Sequence, residues 1–102
     1  MNLLFLTCAN EEEANNIART LLERKQIVCA KLLPVNSQFL WKKSIDTAEE
    51  ALLVMESDES RFADVEKTVK ELHSYEQFVL IGLPITQMAS GVEEWLKSEM
   101  EL

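Results

Sequence analysis

The chain has 102 residues, 47% of them hydrophobic, which is enough for one compact domain, residues 1–102, with a single modest core. Ten Lys and Arg against eighteen Asp and Glu give a net charge of −8, which repels phosphate backbones and anionic lipid surfaces. Nucleic acid and membranes are therefore not expected as partners, whereas small cations or basic ligands are favoured. No stretch approaches the roughly 18 continuous apolar residues of a membrane span, and the first apolar run is too short for a signal-peptide core. We expect a cytoplasmic protein with both cysteines, Cys8 and Cys29, reduced.

The first two predicted elements are a strand and a helix. Residues 3–7 form a short, continuous apolar run, which is typical of a buried central strand. Asn10 then offers a helix N-cap, and Glu13 stands at the position of a capping box. Apolar residues at 3–4 spacing predict a helix that packs one apolar stripe against the sheet and ends at residues 23–26. This stripe consists of Ala14, Ile17, Ala18, Leu21 and Leu22.

The longest predicted element is a hairpin with arms at residues 29–41 and 45–57. Its second arm is continuously apolar over residues 51–55, which indicates a strand covered on both faces. Pro34 has no N–H, so we expect a bulge, a bend or a locally open edge at that position. The reversal over residues 42–44 contains no glycine, so it is predicted to be wide rather than a tight two-residue turn.

The hairpin is too long for one small domain. A strand of about a dozen residues spans roughly 40 Å at 3.3 Å per residue, more than such a domain covers. Its surplus apolar length therefore predicts a partner, and the expected partner is another copy of the same chain.

The second half of the chain repeats the helix and strand pattern. Asp58 and Ser60 are candidate caps of a second helix that ends near His73. Residues 78–85 form an apolar run with a proline at its exit, which predicts a strand, and residues 92–102 predict a short final helix. The residues predicted to face the core from these two helices are Phe62, Val65, Val69, Leu72, Trp95, Leu96 and Met100.

The order strand, helix, hairpin, helix, strand predicts an α+β fold. It is the βαββαβ order of the ferredoxin-like sandwich, here with a long central hairpin and a short C-terminal helix. Helices cover only one face of such a sheet. The other face would expose apolar surface in a single chain, which is a second reason to expect oligomerisation.

No recognised catalytic motif is present in the sequence. Gly82 and Gly91 do not form a phosphate loop, no serine lies in a nucleophile elbow, and His73 has no metal-binding partner at the usual spacings. The residues able to carry chemistry are Cys8, Cys29, His73, Tyr75 and Glu76.

Cysteine and histidine are good ligands for copper or zinc, so Cys8 and His73 would form a site if the fold or a neighbouring subunit joined them. Each candidate also has a structural interpretation. Cys29 is typical of an inert core thiol, and His73 of a histidine that stabilises a helix C-terminus. Trp41 and Trp95 are typical of core or interface anchors.

An ordered set of residues extends over nearly the whole chain. It consists of Ile17-Ala18, Leu21-Leu22, Lys25, Cys29, Leu32-Leu33-Pro34, Ser37, Trp41, Ile45, Glu49-Glu50, Leu52-Leu53, His73-x-Tyr75-Glu76, Leu83-Pro84-Ile85 and Trp95. This set resembles the pattern of the CutA family. The resemblance implies a ferredoxin-like subunit of a tightly packed homotrimer, in which hairpin arms of neighbouring subunits join into sheets. It also implies divalent-cation tolerance, copper binding as reported for some members, and an architecture akin to the PII signalling proteins.

The chain departs from the family pattern mainly in the pocket. Ser74 replaces a proline, residues 78–79 replace a Pro-Glu pair, and the turn at residues 41–44 lacks its glycine. The family cysteine discussed for metal binding aligns with Thr7, one residue before Cys8, and successive residues of a strand face opposite sides.

The favoured hypothesis is a homotrimer that is not an enzyme. It would bind a divalent metal ion or a small ligand in clefts between subunits, and copper is the metal ion that we expect. One alternative is a structural or PII-like signalling trimer that has no metal site and docks an unidentified protein. Another is an enzyme with Tyr75 and Glu76 as an acid/base pair. The predicted metal ligands are His73 and Cys8, and the predicted cleft residues are Tyr75, Glu76, Trp41 and Cys29.

Overall fold

The computed structural model describes all 102 residues as four strands, three α-helices and one 3₁₀ turn. The elements follow the predicted order, although the last strand is shorter than the predicted residues 78–85, because its pairing with the first strand covers only five residues. The elements are β1 (Asn2–Cys8), α1 (Glu11–Glu23), β2 (Cys29–Trp41), β3 (Ser44–Ser57), the 3₁₀ turn (Glu59–Arg61), α2 (Phe62–Leu72), β4 (Leu80–Pro84) and α3 (Val92–Glu99).

The four strands form one antiparallel sheet in the order β2-β3-β1-β4, which confirms the ferredoxin-like α+β fold. Alternate residues are buried along β1 and along residues 51–57 of β3, because only one face of the sheet is covered by helices. The apolar stripes of α1 and α2 pack against these buried strand residues and complete the core. The most deeply buried large side chains include Leu4, Leu6, Ile17, Leu21, Leu53, Met55, Val65 and Val69.

The start of α1 confirms the predicted cap but changes the role of Glu13. The side chain of Asn10 accepts a hydrogen bond from the backbone N–H of Glu13 at 2.8 Å. A capping box would return the Glu13 carboxylate to the N–H of Asn10. The carboxylate instead accepts the N–H of Ala9 at 2.7 Å, one residue earlier. Glu13 is therefore free to contact residues outside its own helix.

The hairpin turn is tight, and the predicted wide reversal is wrong. Trp41 pairs with Ser44, so only Lys42 and Lys43 form the loop. Both have positive φ, 51° and 68°, as in a type I′ turn. Lysine is disfavoured there, but the primed turn matches the right-handed twist of the long paired arms. The tertiary pairing therefore overrides the local preference for glycine.

Pro34 lies on an open edge, which is one of the three predicted outcomes. Pairing of β2 with β3 runs without a break from Cys29↔Glu56 to Trp41↔Ser44, so no residue is inserted. Hydrogen-bonded pairs alternate along this ladder, and Pro34 falls between two of them, with its nitrogen facing away from β3. The missing N–H therefore costs no bond within the chain.

Two further predictions are corrected by burial. The apolar residues of β3 are covered on one face only, because Leu53 is buried whereas Leu52 and Val54 are half-buried. Trp95 does not share the buried face of α3 with Leu96, since it is 46% exposed.

The uncovered face of the sheet and the hairpin tip leave large apolar side chains exposed. Leu33 and Ile81 are each 50% exposed on this face. At the tip, Leu40 is 76% exposed and Ile45 is 77% exposed. By the strand register, Leu33 and Ile81 lie on the open face, whereas Leu40 and Ile45 face the helix side of the hairpin beyond the helices. One copy of the chain buries neither group. None of the helices is both long enough and apolar enough to cross a membrane.

Candidate functional site

The candidate site lies where the end of β1, the start of α1 and the segment after α2 meet. His73 follows α2, and its ring is fully buried. Its Nε2 lies 2.8 Å from the carbonyl oxygen of Thr7, and its Nδ1 accepts the backbone N–H of Tyr75 at 3.0 Å. Because Nδ1 is an acceptor, Nε2 carries the hydrogen and donates to Thr7. Neither ring nitrogen keeps a free lone pair for a metal ion.

Cys8 is the last residue of β1 and is completely buried. Burial, followed by the nearby carboxylates of Glu13 and Glu50, raises the pKa of its thiol to about 12. Without a metal ion the thiol is protonated at neutral pH, so metal binding here would have to displace this proton inside the core. No group of three or more His, Cys, Asp or Glu side chains is placed to hold a metal ion. Within one chain, the predicted copper or zinc site at His73 and Cys8 does not fit these side chains.

Glu13 connects the two sides of the site and was not predicted to belong to it. Its side chain is only 11% exposed, and its carboxylate accepts the N–H groups of both Ala9 and Ser74. Burial acts to raise its pKa, but these hydrogen bonds outweigh burial and hold the pKa below the ordinary value. The carboxylate is therefore ionised at neutral pH. The only sequence signal was its place in the capping box.

Tyr75 and Glu50 form the accessible part of the site. The hydroxyl of Tyr75 donates to Oε2 of Glu50 at 2.7 Å. Burial, and then the hydrogen bond and negative charge of Glu50, raise the pKa of Tyr75 to about 12. Glu50 was not predicted either, although it belongs to the acidic pair that supported the family resemblance. The pair offers a neutral hydroxyl beside the carboxylate of Glu50, and the negative charge of the nearby, enclosed Glu13 adds to a surface that favours cationic ligands.

The structure separates the other predicted cleft residues from this pair. Cys8 pairs with Ala51 of β3, next to Glu50. Cys29 pairs with Glu56, which is five residues, or roughly 17 Å, further along β3. Trp41 is at the hairpin tip and pairs with Ser44. Ser44 is seven residues, or roughly 24 Å, from Ala51 in the opposite direction along β3. Glu76 lines another groove, together with Ala63, Glu66, Lys67, Lys70, Gln77 and Phe78.

Comparison with known proteins identifies the family. Residues 2–99 match the family described as CutA1 divalent ion tolerance protein. The chain belongs to the CutA1 family. The predicted family resemblance is thereby confirmed over almost the whole sequence.

Individual CutA proteins agree with this assignment. The divalent-cation tolerance protein CutA of Archaeoglobus fulgidus is 31% identical over 100 residues, which is 98% of each chain. Protein CutA of Homo sapiens is 31% identical over 98 residues, and the match spans only 55% of the human protein. The structure of the periplasmic divalent cation tolerance protein CutA from Archaeoglobus fulgidus has a TM-score of 0.94 at 30% identity, covering 97% of both chains. The chain therefore has both the sequence pattern and the fold of CutA1 proteins.

Proposed function

We propose that this CutA1 protein acts as a homotrimer, without catalysing a reaction, and supports divalent-cation tolerance by binding cationic ligands in clefts between subunits. The observation that carries the proposal is the hairpin, whose exposed apolar length one chain does not bury. In this proposal, the surface around Tyr75 and Glu50 forms one wall of each cleft, and a neighbouring subunit completes it. His73 and Cys8 have structural roles in this proposal, since both are buried and both ring nitrogens of His73 are taken by backbone groups.

Two different free edges support assembly into a ring. The outer strands of the sheet are β2 and β4, so each copy presents two unlike edges. Pairing of β2 in one copy with β4 in the next is head-to-tail, and head-to-tail contacts close into rings when the rotation permits. The count of three is what the family resemblance implies. Such a ring would cover the open sheet face and remove both exposed edges.

The assembly is tested by mass in solution. We expect native mass spectrometry and sedimentation of the untagged protein at micromolar concentration to give three times the chain mass of 11.7 kDa. The apolar contacts predict that the trimer persists in high salt, because salt screens surface charges but not apolar burial. A stable, folded species of one chain mass would overturn the proposal.

Ligand binding is tested by calorimetry with Zn(II) and Cu(II). Zn(II) and Cu(II) also bind carboxylate oxygens, and Glu50 presents a carboxylate that is only half-buried. We expect Glu50→Gln to reduce the binding heat strongly, while the double variant Cys8→Ser, His73→Gln retains it. Circular dichroism checks that both variants are folded. The opposite pattern would restore the predicted site at His73 and Cys8.

A second candidate function is a PII-like interaction module without a metal site. It is favoured by the hairpin tip, where Trp41 is 54% exposed beside two lysines. A protein partner would cover this aromatic residue. Absence of binding heat for both metals in the native trimer would favour this candidate over cation binding.

We also propose a cytoplasmic location. Both cysteines are free, which agrees with a reducing compartment. One similar protein is described as periplasmic, so fractionation of the source cells is the direct test.

A further inference from the structure

The carboxylate of Glu13 joins three parts of the fold that are far apart in sequence. Its Oε2 accepts the N–H of Ala9 at 2.7 Å, just after β1. Its Oε1 accepts the N–H of Ser74, 61 residues away, and lies 3.5 Å from Nδ1 of His73. Both carboxylate oxygens are thus occupied by backbone donors. Neighbouring acidic residues Glu11 and Glu12 are exposed and make no such contact.

The segment held by Glu13 makes few backbone hydrogen bonds, and most of its other contacts are made by the side chains of Tyr75 and Phe78. Residues 73–79 form neither helix nor strand. His73 is tied to the body of the protein by its bonds to Thr7 and Val69, whereas the N–H of Tyr75 bonds only to the ring of His73. Ser74 lies between them and is fastened by Glu13. Glu13 therefore holds the backbone of the residue that directly precedes Tyr75.

We propose that Glu13 is the positioning residue of the cleft: by holding Ser74, it places the hydroxyl of Tyr75 against Glu50. The inference rests on the proposed function in that this cleft is taken as the ligand site. Glu13 itself is enclosed and would not touch the ligand. The identity of the side chain matters, because a carboxylate accepts two N–H groups at once. Glutamine offers one acceptor oxygen, and its amide group would face the second N–H with a donor.

The test is amide hydrogen exchange by NMR on the 102-residue chain. In Glu13→Ala, we expect the amides of Ala9 and Ser74 to exchange at least about tenfold faster, because a charge-assisted hydrogen bond is lost. The ring signals of Tyr75, the only tyrosine, should shift. Glu12→Ala is the matched control, since it removes the same charge from the same helical turn. Its exchange rates and tyrosine signals should match the wild type.

Two results would overturn the inference. One is wild-type exchange at Ser74 in Glu13→Ala. The other is an equal increase at core amides such as those of Leu53 and Met55, which would mean that Glu13 only stabilises the whole fold. If Glu13→Ala does not fold, Glu13→Gln keeps the side-chain volume. In that variant, Ala9 or Ser74 should exchange at least about threefold faster, and unchanged rates at both would be decisive against the inference.

Native mass spectrometry of the same variants separates this inference from the proposed function. A wild-type protein of one chain mass, with Ser74 still protected by Glu13, would remove the trimer but leave the positioning role intact. A trimer in which the Ser74 amide exchanges at the same rate in Glu13→Ala and in the wild type would remove the positioning role but leave the proposed trimer intact.

Discussion

Replacing Ile81 with glutamate is expected to convert the trimer into single folded chains at micromolar concentration. Ile81 is the second of the five residues of β4, pairs with Phe5, and is 50% exposed on the open face of the sheet. In one isolated chain, a glutamate there would remain hydrated. In the proposed trimer it would be buried without a partner, which costs about 3–5 kcal/mol for each copy. Sedimentation or native mass spectrometry measures the change.

Leu102 provides the matched control for this prediction. It is 48% exposed, almost the same as Ile81, but it follows α3 rather than lying in the sheet. Leu102→Glu therefore adds the same charge at the same exposure away from the proposed interface, and its mass should equal that of the wild type. Dissociation by both variants would indicate a general effect of charge. Retention of the trimer in Ile81→Glu would place the interface elsewhere.

Replacing Glu50 with glutamine is expected to lower the pKa of Tyr75 from about 12 toward its ordinary value of 10.0. Burial is the largest cause of the raised pKa and remains in the variant, whereas the negative charge of Glu50 is lost. The midpoint of the Tyr75 titration should therefore fall only part of the way from about 12 toward 10.0. Ultraviolet absorbance of the ionised phenol reports this group alone, since the chain has one tyrosine.

The raised pKa of Tyr75 also predicts how stability depends on pH. The folded state holds the phenolic proton more tightly than the unfolded state does. This contribution to the free energy of unfolding is complete below pH 10 and is lost as the pH rises through about 12. Urea titrations across that range should show a smaller decline for Glu50→Gln. Glu49→Gln, an exposed neighbour with the same charge change, should behave as the wild type.

Local patterns explain why so much of the fold was predictable. The two hairpin arms, the N-cap at Asn10 and the stripe of α1 follow from alternation, capping chemistry and 3–4 spacing. These signals involve residues only a few positions apart. The hairpin turn was mispredicted because the twist of two long arms, rather than the composition of Lys42 and Lys43, decides its type.

The sequence by itself determined the order of the elements, the surplus length of the hairpin and the family, since each follows from local chemistry or an ordered set of residues. Only the tertiary structure decided the site. It joined Glu13 to Ser74 and Glu50 to Tyr75 across separations of 61 and 25 residues, and it occupied the ring of His73 with backbone partners. From sequence alone, a carboxylate is interpreted as a helix cap or as a solvated surface charge. Its distant hydrogen-bond donor is known only from the tertiary structure, because hydrogen bonding depends on distance in space and not on position along the chain.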